Sequence, residues 1–228
     1  MKFRLLVVLI VFFITTNSCQ KIQHKDRIKE GYIEYNIEYL DDSLDSFMVG
    51  LLPKKMTIKF KNNNTINKIE GFSGIVSFTH IQNNRDKKNI TLVKILNKKY
   101  KYVEKLTDKS LFFEDLPGMQ IDFSDSTKQL CGFNSKQAHI TVPNSNIKPF
   151  DIFYTNDIII NNANALTPFK SIDGVLLEFQ IKFYDMNMRL TVDKIQAAEV
   201  SSTEFEVPKG YDPINRNTMI EIIELLKN

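Results

Sequence analysis

Tryptophan is absent from this sequence, cysteine occurs twice and histidine three times. That scarcity narrows the chemistry. His24, His80 and His139 lie far apart, no two are spaced i, i+4, and none has a cysteine beside it, so there is no metal-ligand signature. Serine, histidine and aspartate all occur, but no Gly-x-Ser-x-Gly elbow does; Gly71-Phe72-Ser73-Gly74 lacks the spacing and reads as a turn. No glycine-rich phosphate loop follows a strand pattern. Lysine and arginine (30) barely outnumber aspartate and glutamate (27), a formal net charge of +3, which removes the argument for nucleic acid. Beyond Ile14 no apolar run approaches the ~18 residues of a membrane span.

What is present begins at the first residue. Lys2 and Arg4 precede an unbroken apolar run, Leu5–Ile14, and the small-polar Thr15-Thr16-Asn17-Ser18 leads to Cys19. Ten residues of helix span ~15 Å, half of a ~30 Å hydrocarbon core, so the run fits a cleaved export signal rather than an anchor. With cysteine at the cleavage point, Thr16-Asn17-Ser18-Cys19 resembles the lipobox of a bacterial lipoprotein, in the looser form found in Bacteroidota, which implies that Cys19 carries lipid. The plainer alternative is ordinary cleavage after Ser18, leaving a free thiol. Losing Lys2 and Arg4 with residues 1–18 removes two positive charges and no acid, leaving +1. If Cys19 is lipidated, Cys131 has no intrachain partner and no disulfide supports the fold. Residues 19–30 are polar, charged and without period, and read as a flexible tether. Residues 31–228 suit a single domain.

Within that domain the hydrophobic period is two. In Gly31–Tyr39, Ile33, Tyr35, Ile37 and Tyr39 share one face and glutamates and Asn36 the other, as in an antiparallel sheet with a core side. Met56–Phe60 and Ile66–Glu70 flank Asn62-Asn63-Asn64 as a hairpin; Ile75–Ile81, Ile90–Leu96 and Lys98–Val103 continue the meander. Lys128–Phe133 and Ala138–Val142 suggest a hairpin turning at Asn134-Ser135-Lys136, followed by strands at Phe150–Thr155, Gly174–Tyr184, around Met188–Val192, and at Val200–Phe205. Asn161–Lys170 reads as a loop or short helix. The helix expected at Thr218–Lys227 is marked by a Thr218/Glu221 capping box and a Met219, Ile222, Ile223, Leu226 stripe. Glu178 is the one carboxylate in the most apolar strand and shares a face with Gln180, so it is expected to reach solvent.

The order of Lys128-x-Leu130-x-Gly132-Phe133, Lys136-Gln137-Ala138, Phe153–Ile158, Ile172–Phe179 and Phe205-x-Val207-Pro208-x-Gly210-Tyr211 resembles the DUF4412 group of exported proteins. That group is similar to the GLPGLI proteins of Bacteroidota and, more distantly, to LolA/LolB-like lipoprotein carriers. The family's cysteine two positions after the Gly-Phe aromatic is here Ser135, with Cys131 before Gly132 instead. The resemblance implies a mainly β fold, a curved antiparallel sheet or half-barrel with a few short helices including a C-terminal one. Its concave apolar face must be covered, by the Asn161–Lys170 segment and the C-terminal helix or by a ligand; a filled core is the plainer case.

The expected function is therefore non-catalytic: a protein of the outer membrane, anchored by lipid on Cys19 at the periplasmic face, holding a lipid or other apolar ligand. Tyr35, Ile37, Phe60, Leu177, Phe179 and Ile181 are the candidate ligand-binding residues. No cofactor and no metal are expected. The alternative is an interaction module with a filled core that contacts another envelope protein. A hydrolase working through Glu178 or Ser73 is a third reading without a motif behind it.

Overall fold

The computed structural model describes residues 27–41, 50, 52–71, 74–105, 111, 113, 116–183 and 186–224. The expected leader, Cys19, Ser73 and Leu226 lie outside them. Twelve strands are present among the described residues: β1 (Glu30–Tyr39), β2 (Lys55–Lys61), β3 (Asn64–Gly71), β4 (Val76–Asn83), β5 (Lys88–Ile95), β6 (Lys98–Lys105), β7 (Gln120–Leu130), β8 (Phe133–Thr141), β9 (Phe150–Thr155), β10 (Val175–Phe183), β11 (Met186–Ala197) and the two-residue β12 (Asp212–Pro213). A helix, α1 (Arg216–Glu224), follows.

All twelve strands form one open sheet in the order β12-β6-β5-β4-β3-β2-β1-β11-β10-β9-β8-β7. The chain builds two meanders that meet where β1 pairs antiparallel with β11, Ile37 opposite Leu190 and Ile33 opposite Ile195. One edge is β7; at the other, β12 pairs parallel with β6. The fold is mainly β, a single curved sheet with a C-terminal helix. Bulges bend it, because an extra residue in one strand of a pair raises the local twist. The register shifts at Glu34/Tyr35 opposite β11 and at Leu176/Glu178 opposite β9, which leaves Leu177 as the extra residue of β10.

The expected alternation of β1 is observed: Ile33, Tyr35 and Ile37 are buried while Asn36 and Glu38 are exposed. These inward side chains join Met56, Phe60, Leu177, Phe179, Met188 and Leu190 in the main core. Two segments cover the concave side. The β9–β10 connection contributes Ile158, Phe169 and Ile172, and α1 contributes Met219 and Ile223, all buried in the same core. The convex side of β4 and β5 is covered as well: Val200 and Phe205 pack there against Ile81, Ile90 and Leu92 in a second, smaller core.

Four local expectations differ from what is observed. Ile28, in the stretch read as tether, is buried, its N–H donating to Asp157 O at 2.8 Å and its own oxygen accepting from Ile159 N at 2.8 Å. The β7–β8 hairpin turns at Cys131-Gly132, not Asn134–Lys136; both residues have positive φ (47° and 80°), which matches the twist of the flanking strands. Val200–Phe205 holds no strand but a 3₁₀ turn, Ser202–Phe205, started by Ser201, whose Oγ accepts from Thr203 N. The helix starts earlier than Thr218: Asn215 Oδ1 accepts the Thr218 N–H at 2.9 Å, so Asn215 is the cap.

Candidate functional site: an apolar cavity with a polar floor

Register fixes which side chains share the concave face. Starting from Tyr35, the row that crosses its neighbours is Met56, Ile69, Phe78, Val93 and Tyr100, apolar or aromatic throughout. The next row runs Ile33, Ile58, Asn67, His80, Thr91 and Tyr102, and the one beyond it Gly31, Phe60, Thr65, Gln82, Asn89 and Glu104. The concave face therefore changes character from β3 onward: two adjacent rows become polar. Thr65, His80, Gln82, Asn89, Thr91 and Glu104 are all buried. Glu104 Oε2 lies 3.3 Å from Arg216 Nη1 of α1, so the buried carboxylate is held by a guanidinium at the end of its row. Burial lowers the pKa of His80 from 6.5 to about 4, since a charged imidazole loses its hydration there; at neutral pH the ring is uncharged.

Four atoms of this floor, Asn67 Oδ1, Asn89 Oδ1, Asn89 Nδ2 and Thr91 Oγ1, are buried with no hydrogen-bond partner among the described residues. Leaving a buried polar group unsatisfied costs about 1–3 kcal/mol, so folded proteins contain few, and here they are neighbours.

A partly open cavity of about 110 Å³ reaches the β3–β4 part of these rows, at Thr65, Asn67, His80 and Gln82; Asn89, Thr91 and Glu104 do not line it. Tyr35, Ile58, Phe78, Phe179 and Ile181 line its sheet side, Ala163 and Leu166 its covering side, and Asn67 and His80 its polar end. Asn164 fixes the cover: its Nδ2 donates to Ile172 O at 2.8 Å and Gly174 O at 2.9 Å, closing the connection into a compact loop. The loop is also attached at the β2–β3 turn, where Asn161 N donates to Asn63 Oδ1 at 3.0 Å. Gly174 has φ +134° and a Cβ there would sit 2.7 Å from Thr155 O, so only glycine admits this close return to β9. The buried Tyr35 hydroxyl donates to Leu176 O at 2.8 Å beside the β10 bulge, and burial raises its pKa, so it stays a neutral donor. Its ring meets Phe179 edge-on, with centroids 5.9 Å apart.

Of the six candidates read from the sequence, Tyr35, Phe179 and Ile181 line the cavity. Ile37, Phe60 and Leu177 are buried in the core around it. Glu178 points to the other face, where its Oε2 is 2.6 Å from Lys128 Nζ, whose ammonium also sits 4.7 Å from the Phe153 ring centre. His139 is a surface imidazole, its Nδ1 2.7 Å from Asp151 Oδ1; that bond holds the Asp151 carboxyl below its usual range. Among the described residues no group of three His, Cys, Asp or Glu is placed to hold a metal.

The polar floor was not singled out in the sequence. In β4 and β5 the larger aliphatics Ile81, Ile90 and Leu92 sit on the convex side, beneath Val200 and Phe205. Both faces of these strands are covered, so alternation alone does not say which face is concave. The usable signal was the recurrence of Thr, Asn, His and Gln at alternate positions of Thr65–Asn67, His80–Gln82 and Asn89–Thr91.

No family model and no curated protein matches the chain. Among solved structures it is similar to PNGF-II, with a TM-score of 0.50 and 11% identity over 86% of this chain. The chain spans about a third (33%) of that protein's length. At this identity the likeness concerns the fold alone.

Proposed function

We propose that this is a non-catalytic envelope protein, anchored at the periplasmic face of the outer membrane by lipid on Cys19, that shelters an apolar ligand between its curved sheet and the β9–β10 connection. The observation that carries the reading is the partly open cavity lined by Tyr35, Ile58, Phe78, Phe179 and Ile181, left between the apolar part of the concave face and its cover. The resemblance to DUF4412 and LolA/LolB-like proteins supports the same reading. Size limits the occupant. About 110 Å³ is of the order of the ~150 Å³ apolar cavity that admits benzene, and well under the ~300–1,000 Å³ of a typical small-molecule site. A short stretch of one acyl chain fits; a diacyl lipid requires the cover to move.

Binding of toluene, small enough for a cavity of this size, tests it directly by titration calorimetry. Delipidated protein is expected to bind toluene saturably, and Ile181→Trp, which fills the cavity, to abolish the binding while leaving the circular dichroism unchanged. A wild-type protein with no saturable binding removes the proposal. The anchor has its own test: Cys19→Ala is expected to move the protein from the membrane to the soluble periplasmic fraction, and unchanged fractionation contradicts it.

A second reading, an interaction module, is favoured by how much of the concave face Phe169, Met219 and Ile223 already fill, each at most 1% exposed. The edge strand β7, with Phe123 59% exposed, would then be a place for a partner strand.

A further inference from the structure

We propose that a second cleft, on the convex face of β2–β6, binds a small phosphomonoester in solution, its dianionic group held by the ammonium groups of Lys94 and Lys99. This site is separate from the inner cavity and does not rest on the proposed function.

The cleft measures about 600 Å³, within the ~300–1,000 Å³ of a typical small-molecule site and well above the inner cavity. Its wall is the segment that carries Thr203, Pro208 and Tyr211. Register sets two rows of its floor: Thr57, Lys68, Thr79 and Leu92, then Glu70, Ser77, Lys94 and Lys99. Every one of these residues lines the cleft, so a molecule seated there is within reach of both lysines.

Charge decides what the cleft takes. Lys59 pairs with Glu204 at 2.9 Å and Lys68 with Glu70 at 2.7 Å, so those four charges cancel in pairs. Lys94 and Lys99 differ. They lie directly opposite each other across the β5–β6 ladder, which puts their Cβ atoms ~4.5–5.5 Å apart, and like charges so placed destabilise a sheet. Lys94 Nζ donates to Gly74 O at 3.0 Å and Lys99 Nζ lies 5.8 Å from the Tyr211 ring centre; among the described residues no carboxylate pairs with either. The remaining carboxylate of the lining, Glu206, follows Phe205, which packs against Ile81. Ile81 is four residues along β4 from Ser77 and its row of lysines, or ~13 Å. Lys101, opposite Leu92 on the same outward face, adds a further positive charge beside the pair.

An anion between the two ammonium groups turns their repulsion into attraction. A phosphomonoester carries about −1.5 to −2 charges at pH 7 and three acceptor oxygens, which matches two lysines; a single carboxylate balances one of them. Ile66, Leu92 and Pro208 give the body of the ligand apolar surface to lie against.

The test titrates phenyl phosphate, inorganic phosphate and phenol into the purified Cys19→Ala protein at pH 7 and low salt, with the heat of binding as readout. Phenyl phosphate is expected to bind saturably, inorganic phosphate more weakly, and phenol not at all. Lys94→Gln and Lys99→Gln are each expected to weaken phenyl phosphate about tenfold, the scale of one charge-assisted hydrogen bond, with unchanged circular dichroism. Lys136→Gln removes the same charge from β8, where Lys136 Nζ donates to Asn156 Oδ1, and is expected to leave the affinity as it was. If neither phosphate binds, the inference is overturned. It is equally overturned if phenol binds as well as phenyl phosphate, or if Lys136→Gln weakens binding as much as the two cleft variants do. A last arm offers phosphatidylcholine vesicles containing phosphatidate: a protein that sediments with these but ignores phenyl phosphate reads a membrane surface, and the small-molecule site falls.

Discussion

His80 shows how one side chain ties the interior of this sheet to solution conditions. Its ring is buried between Asn67 and Thr91 on the concave face, and burial brings its pKa from 6.5 down to about 4. The unfolded chain takes up a proton on this imidazole near pH 6.5; the folded chain resists until about pH 4. Between those values the unfolded state binds more protons, so its stabilising effect is complete above about pH 6.5 and is lost as the pH falls to about 4. The loss is of the order of 3 kcal/mol, a large fraction of a typical domain's stability. Urea unfolding from pH 7 to pH 4 is expected to show this decline in the wild type and a shallower one in His80→Gln, whose side chain does not titrate. Parallel curves would mean that His80 is open to protonation in the fold. The sequence offered no hint of this, because an imidazole flanked by Thr79 and Ile81 in a strand pattern reads equally well on either face. Tyr35 and Phe179 were legible, since each sits in a strand whose polar residues all fall on the opposite side.

At the scale of elements, the cover over the cavity is the part on which function turns. Residues 156–174 contain little regular structure, and Asn164 does the work that a helix would otherwise do, pairing one buried amide with two backbone oxygens. Asn164→Ala removes both bonds and leaves the Ile172 and Gly174 carbonyls short of a donor, so it is expected to cost about 1–3 kcal/mol. Because the damage is local, hydrogen exchange should rise first in residues 161–174, with β1 and β11 still protected, and toluene should enter faster. A uniform rise across the sheet would instead make Asn164 a general stability residue. Strands with clean alternation, such as β1, or with an Asn turn between them, such as β2 and β3, were readable from the sequence alone. The errors fell where a local pattern was overruled. Val200–Phe205 read as a last strand, but Val200 and Phe205 pack together across the convex face of β4 and β5 instead. Ile28 lies in the stretch read as a tether, and its partner Ile158 is far away in sequence.

For the whole molecule, the arrangement of two meanders joined at β1 and β11 leaves one continuous sheet with a filled concave side and a small remaining cavity. A mainly β fold was foreseeable from short segments of period two and few helical ones, and a curved sheet was what the family resemblance implied. The meeting of β1 with β11 depends on pairings between residues about 150 apart, which no local pattern encodes. The central claim is that this remaining cavity holds a small apolar molecule. Native mass spectrometry of the protein, extracted mildly from its own membrane and stripped of detergent in the gas phase, tests it most directly. The account predicts a stoichiometric non-covalent adduct with the mass of a small, single-chain apolar molecule, lost on collisional heating and absent from Ile181→Trp. A protein that arrives free of any such adduct, with only the covalent lipid on Cys19 or with a bound protein partner, would contradict it.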